Sequence, residues 1–145
     1  MNKSEEAREL MTSSPLNCAQ AVLSVFANEL GLDRTTAARI ATGFGGGMGR
    51  TGGVCGAVSG AYMVLGLKSY PEIKTPSERK EKVYSLVQEF NKRFTAVHNS
   101  TSCTQLLGYD LSTPQGLAAA RENKTFATTC PQLVADAVTI LEEIA

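Results

Sequence analysis

Residues 43–67 read GFGGGMGRTGG followed by VCGAVSGAYMVLGL, and this stretch decides the fold. Seven of the eleven residues from Gly43 to Gly53 are glycine. That is too many for the interior of a helix or strand, because each glycine loses much backbone entropy on folding. The fourteen residues that follow carry no charge and are too few to span a bilayer. The pattern predicts a glycine-rich loop leading into a buried helix, with Cys55 in its first turn.

Three glycines of this stretch, Gly52, Gly56 and Gly60, are spaced four residues apart and are expected on one face of the buried helix. A face with so little side-chain bulk lets another helix, a cofactor or a second subunit approach the backbone closely. Two interpretations are open: tight packing between helices, or a cofactor-binding surface with Cys55 at its floor.

The rest of the chain predicts helices only. No segment alternates apolar and polar residues over five positions, whereas capping residues and apolar repeats typical of helices recur. We therefore expect an all-α fold, in which residues 1–145 form a single domain: a bundle of six to seven helices with the glycine-rich loop before a buried central helix. Besides the buried helix, the predicted helical segments are about 4–11, 14–30, 33–41, 75–98, 102–107, 114–122 and 129–144.

Composition and charge limit the functions that the chain can have. It has 14 basic and 14 acidic residues, with no concentrated basic cluster, so neither nucleic acid nor a membrane surface is an expected partner. The first residues, MNKSEEARELM, are charged where a signal peptide would be apolar, and we expect a cytoplasmic protein. In a reducing compartment, cysteines are better explained by redox chemistry or metal ligation than by structural disulfides.

The four cysteines share one predicted feature: each lies at or within the first turn of a different helix. Unpaired N–H groups and a partial positive charge at a helix start stabilise a thiolate and lower the thiol pKa. We expect the four helix starts to converge on one site, in which the cysteines are catalytic residues or metal ligands. The alternative is that they are small buried hydrophobic residues. They are Cys18, Cys55, Cys103 and Cys130.

Other signals are weaker. Arg50, in the glycine-rich loop, could hold an anionic substrate or balance the charge of a cluster, and together with Gly52, Gly56 and Gly60 it forms the candidate cofactor-binding set. Residues 47–52 match G-x-G-x-x-G, but a helix precedes them, which argues against nucleotide binding. His98, the only histidine, is either a ligand or proton donor, or an ordinary residue at a helix end.

Cys55-Gly56-Ala57, then two further residues and Gly60, resembles the Cys-Gly-Ala-x-x-Gly motif of the redox-active C_GCAxxG_C_C family. Cys18 upstream and two cysteines downstream complete the resemblance, which covers nearly the whole chain. It implies a small helical redox protein. Relatives are fused or linked to electron-transfer proteins of the split-Soret cytochrome type, where an iron-sulfur centre has been proposed.

Two functional hypotheses follow. The first is a small redox-active protein that uses the four cysteines for electron transfer or thiol–disulfide chemistry, with an iron-sulfur cluster or another metal as one option for an unknown cofactor. Its partner would be a redox protein or a small-molecule substrate. The second is a non-catalytic binding or accessory module whose glycine-rich loop binds a small anion or a partner protein. A homodimer would shield a redox site from water and is also expected.

Overall fold

The computed structural model describes all residues, 1–145, and contains eight helices and no strand. The predicted all-α class is confirmed. All eight predicted segments contain a helix, so the bundle has one helix more than the upper number of seven expected for it. None of the helices combines the length and apolarity needed to cross a membrane. The helices are α1 (Lys3–Ser13), α2 (Cys18–Ala27), α3 (Arg34–Ala41), α4 (Gly56–Leu67), α5 (Pro76–His98), α6 (Cys103–Leu107), α7 (Pro114–Glu122) and α8 (Thr125–Ile144).

Most helix starts follow the capping residues of the sequence, but α2 begins later than predicted. Ser14 and Pro15 do not open it; Asn17 is the N-cap and Cys18 the first helical residue. The Asn17 side chain accepts a hydrogen bond from the Gln20 N–H (3.0 Å), and the Gln20 side chain accepts one from the Asn17 N–H (2.8 Å). This capping box satisfies two backbone donors at once, which explains the later start.

Helix α8 differs from the prediction in the opposite direction. Thr129 and Pro131 were expected to open it, but it begins at Thr125 and carries Pro131 inside. Thr125 is buried and Phe126 packs against the core, so tertiary contacts extend the helix by one turn despite the missing N–H of the proline. Cys130 therefore lies in the second turn of α8, and the prediction that all four cysteines lie at helix starts is wrong for this residue.

The core centres on α2, which packs against α1, α3 and α4, while α8 packs against α1, α5, α4 and α2. Nine of the ten residues of α2 are buried, against eight of the twelve residues of α4. The helix after the glycine-rich loop is thus buried, as predicted, but α2 is more completely enclosed. Ile40 (52%) and Val97 (61%) are exposed, although the apolar spacing of their helices would place them inward. Helix α3 buries its alanines against α2, and in the last turn of α5 it is His98 that packs beside Phe94.

The small-residue face of α4 is occupied by α2 of the same chain. A Cβ atom on Gly60 would lie 3.0 Å from the Ala19 carbonyl oxygen, and one on Gly56 would lie 3.0 Å from the Ala19 backbone nitrogen. A side chain at either residue would force α2 away by a few tenths of an ångström. Tight helix packing is therefore the correct interpretation of this face, and it is not open to a second subunit. Gly52 does not belong to the face, because it lies in the loop before α4 with a φ of +77°.

Candidate cysteine site

The glycine-rich loop folds back tightly next to Cys103. Gly45–Met48 forms a single turn in which Gly46 and Gly47 have left-handed backbone angles. A Cβ atom on Gly47 would lie 2.6 Å from the Cys103 Cβ and 2.7 Å from the Gly53 backbone nitrogen. Both the positive φ and this close contact require glycine at residue 47. The loop therefore packs against the start of α6 more closely than a loop with side chains could.

A short backbone pairing joins the end of this loop to the start of α6. The Cys103 N–H donates to the Gly53 carbonyl (2.7 Å) and the Cys55 N–H donates to the Thr101 carbonyl (2.8 Å). These bonds flank an isolated antiparallel bridge between Val54 and Ser102. Alternate residues of an extended segment share a face, so Cys55 and Cys103 lie on the same side of the bridge. The sequence offers no alternation that would predict this pairing.

Cys18 and Cys130 form a direct pair. Cys18 is the first residue of α2, Cys130 lies in α8, and both are buried. Each of the two side chains is the main influence on the pKa of the other. Interaction with Cys18 holds the pKa of Cys130 below its ordinary value, although burial opposes the shift. Interaction with Cys130, together with burial, raises the pKa of Cys18 well above its ordinary value. Of the two, Cys130 is thus the residue that ionises first.

The other two thiols are kept neutral by burial. Burial raises the pKa of Cys55 to about 11, although the Ala57 and Val58 N–H groups at the start of α4 oppose the shift. Burial likewise raises the pKa of Cys103 to about 12, with Cys55 and Cys130 adding to the effect. The prediction that helix starts lower the thiol pKa is therefore wrong for three cysteines. Desolvation raises the pKa of Cys55 and Cys103, and the neighbouring Cys130 thiol, followed by desolvation, raises that of Cys18. The one lowered thiol belongs to the cysteine outside a helix start.

All four cysteines line one cavity of about 560 Å³. The predicted convergence of the cysteines is confirmed, while their chemical roles stay predictions. The walls are largely apolar, and two arginines stand at the exposed rim. No aspartate or glutamate belongs to the lining. Besides the cysteines, the lining residues are Met11, Ser14, Pro15, Leu16, Asn17, Thr42, Gly45, Gly46, Gly49, Arg50, Gly56, Leu107, Leu111, Arg121, Phe126 and Leu133.

Of the four residues predicted to bind a cofactor, Arg50 and Gly56 line the cavity, whereas Gly52 and Gly60 do not. Gly52 packs against the Thr104 side chain, whose hydroxyl donates to the Gly52 carbonyl (3.2 Å). Gly60 packs against α2. Gly52 and Gly60 thus allow neighbouring segments to pack closely. The expectation of a glycine surface open to a cofactor is not met at these two positions.

Two further residues complete the comparison with the predictions. His98 lies outside the cavity, and its ring is 2.8 Å from the Asp136 carboxylate in a partly buried pair. This position at the end of α5 agrees with the interpretation of His98 as an ordinary helix-end residue. Arg121 was not predicted to belong to the site. In the sequence it resembles any cation in the last turn of a helix, and only the packing of α7 against α8 brings it to the cavity.

The arrangement of the thiols bears on metal binding. No three histidine, cysteine, aspartate or glutamate side chains are placed so that they could hold one metal ion. The cavity lining contains thiols but neither histidine nor carboxylate. A single metal ion with three or four protein ligands therefore does not fit this arrangement, in which only Cys18 and Cys130 are directly paired.

The fold and the cavity define a small all-α protein with a four-cysteine site. Residues 16–144 match the family described as "Putative redox-active protein (C_GCAxxG_C_C)", and the chain belongs to this family. The matched residues include all four cysteines and the whole cavity lining except Met11, Ser14 and Pro15. The resemblance seen in the sequence is thus confirmed. Comparison with curated proteins and with solved structures found no match.

Proposed function

We propose that the protein carries out thiol–disulfide exchange with the Cys18–Cys130 pair as its redox centre. The observation that supports this proposal is that both thiols line one cavity and interact with each other there. A thiolate is the nucleophile of disulfide exchange, and a second thiol next to it is needed to release the substrate. Cys130, whose pKa is lowered, is the attacking residue, and Cys18 is the resolving residue.

In the first step, the Cys130 thiolate attacks one sulfur of a substrate disulfide. A bond forms between Cys130 and that sulfur, the substrate S–S bond breaks, and the other substrate sulfur leaves as a thiolate. The proton of the Cys18 thiol passes to this leaving thiolate. Cys18, now a thiolate, is already next to Cys130 for the second step.

In the second step, the Cys18 thiolate attacks the Cys130 sulfur. The Cys18–Cys130 disulfide forms, and the remaining substrate sulfur leaves as a thiolate that takes a proton from water. Two electrons have passed from the protein to the substrate. A dithiol reductant would return them by the reverse exchange, so the cycle needs one disulfide and one dithiol and no bound cofactor.

Electron transfer through an iron-sulfur cluster or another metal is a second candidate. The observation that favours it is that all four cysteines share one cavity. Against it stands the absence of any three side chains placed for one ion. The variant Cys130→Ser separates these two redox functions from a binding role without redox chemistry. Binding should be unchanged in this variant, because it requires neither a thiolate nor a metal ligand.

The experiment starts with anaerobic purification and iron and zinc analysis, followed by titration of the four free cysteines before and after one equivalent of a disulfide. We expect a metal-free protein that loses two thiols, with the new disulfide mapping to Cys18–Cys130. Cys18→Ser should trap a mixed disulfide on Cys130, whereas Cys130→Ser should not react.

A matched control is Cys103→Ser, which alters the same cavity but not the pair; the Cys18–Cys130 disulfide should still form. A brown protein that carries iron would contradict the proposal and favour the cluster. A disulfide that maps to Cys55–Cys103, or equal reactivity of Cys130→Ser and the unchanged chain, would also contradict it.

The cytoplasmic location and the homodimer stay proposals. A reducing compartment would keep the pair ready to react. The dimer has no assigned surface, because α2 covers the glycine face that suggested it. Light scattering at high micromolar concentration would decide: a monomer would rule the dimer out.

A further inference from the structure

The rim of the cysteine cavity carries two arginines that form no ion pair. Arg50 and Arg121 both belong to the lining and both are exposed. Neither takes part in any of the ion pairs of the structure, and no acidic residue lines the cavity. The chain as a whole has a formal net charge of zero. The local excess at the cavity mouth is therefore a feature of this site and does not reflect the overall composition.

The position of Arg50 is fixed by the glycine-rich loop. A Cβ atom on Gly46 would lie 2.8 Å from the Arg50 Cγ and 3.8 Å from a methyl carbon of Leu111, which is a cavity-wall residue. The stem of the arginine thus lies over the turn, next to the cavity wall. Arg50 also has a φ of +67°, a conformation that a residue with a side chain adopts only at an energetic cost. Such strain persists where surrounding contacts impose it, and it concentrates at binding sites.

Arg121 approaches the same mouth from a different part of the fold. It lies in the last turn of α7, one residue after Ala120, which packs in one apolar cluster with Cys103 and Leu111. The two arginines are thus supplied by separate elements around one opening, with the thiols below them. A guanidinium group binds carboxylates with paired hydrogen bonds.

We propose that the substrates of this cavity are small disulfides that carry negatively charged groups such as carboxylates. This inference rests on the proposed thiol–disulfide function and adds the substrate class. The two rim arginines would bind the anionic ends, and the apolar walls would hold the disulfide above Cys130. The volume of about 560 Å³ suits a small molecule, since ligand pockets commonly measure about 300–1,000 Å³. A concave cavity also favours a small molecule over the flatter surface of a partner protein.

The test compares three small disulfides of similar size and different charge: dithiodipropionate (anionic), bis(hydroxyethyl) disulfide (neutral) and cystamine (cationic). Stopped-flow measurement gives the rate constant for the loss of the Cys130 thiolate with each. We expect the anionic disulfide to react about tenfold or more faster than the cationic one, and the ratio to fall as salt is added. In the variant Arg50→Gln/Arg121→Gln, the ratio should approach one.

Lys82→Gln is the matched control, because it removes one positive charge from the exposed face of α5, away from the cavity lining. It should keep the preference for the anionic disulfide. Equal rates for all three disulfides, or a preference that survives in the double arginine variant, would overturn the inference while leaving the exchange function intact. If none of the three disulfides reacts, the proposed function itself fails.

Discussion

Gly47→Ala is the sharpest test of how the glycine-rich loop positions the site. Gly47 is the buried glycine of the turn, with a φ of +69°, and its position leaves no room for a Cβ atom. An alanine there costs about 1–2 kcal/mol for the left-handed backbone alone. The two contacts below 3 Å, with the Cys103 Cβ and the Gly53 backbone nitrogen, cannot be relieved by rotating a side chain. Overpacking of this kind costs roughly 1–3 kcal/mol more.

The expected loss in the free energy of unfolding is therefore about 2–5 kcal/mol. Two glycines of the same loop separate its causes. Gly49 also has a positive φ (+66°), but the nearest atom to its Cβ position lies 3.8 Å away, so Gly49→Ala should lose only the backbone cost of about 1–2 kcal/mol. Gly43 has neither a positive φ nor a neighbour within 4 Å. Gly43→Ala should be neutral or stabilising by up to about 1 kcal/mol, because alanine restricts the unfolded chain.

Urea unfolding followed by circular dichroism gives the three free energies, and alkylation of Cys103 reports whether the loop has moved. The thiol should become more accessible in Gly47→Ala than in Gly49→Ala. If the two variants lose the same free energy within about 0.5 kcal/mol, the loop does not press against Cys103 as described. Equal stability of all three variants would refute the loop conformation itself.

Three other predictions concern the thiols and the helix packing. Because the pKa of Cys55 is about 11 in the folded protein and near 9 when unfolded, its contribution to stability is fully present below pH 9 and is lost as the pH rises to 11. Across this range the unchanged chain should lose roughly 2–3 kcal/mol more stability in urea unfolding than Cys55→Ala, because the raised pKa of Cys103 acts in both chains; equal losses in the two would contradict the assignment. Gly60→Ala should lose roughly 1–3 kcal/mol by forcing α2 and α4 apart, whereas Gly66→Ala, with open space around its Cβ position on the same helix, should gain up to about 1 kcal/mol. Cys18→Ala should raise the pKa of Cys130 by removing the side chain that lowers it, so the pH midpoint for alkylation of Cys130 moves upward; an unmoved midpoint would show that Cys18 does not set this pKa.

The local signals of the sequence predicted the local structure well. Asn2, Asp33 and Thr75, residues of the types that favour N-caps, each cap a helix close to its predicted start, and the glycine-rich loop does lead into a buried helix. The failures occur where tertiary contacts compete with local preference. Pro131 is a favourable first residue of a helix, yet the burial of Thr125 moves the start of α8 by a turn. A capping preference of about 1 kcal/mol is easily outweighed by burial of this kind.

The site was predictable in composition but not in electrostatics. The four cysteines were identified from the sequence, and their shared cavity follows from the helix packing. Their pKa values depend on desolvation and on which thiol contacts which, and neither can be read from the spacing of Cys18 and Cys130. For the same reason Arg121 was missed: its distance along the chain from Arg50 gives no sign that both stand at one opening.

The pairing of Cys18 with Cys130 also couples the redox state of the protein to its stability against unfolding. A disulfide between these positions would close a covalent ring of more than 100 residues, leaving only the two ends outside it. A ring of this size removes loop entropy from the unfolded chain worth about 4–5 kcal/mol. Reduction would return that entropy, so the oxidised protein would melt at a higher temperature and resist proteases longer than the reduced one. In a cell, the lifetime of this protein would then depend on its recent exposure to oxidants.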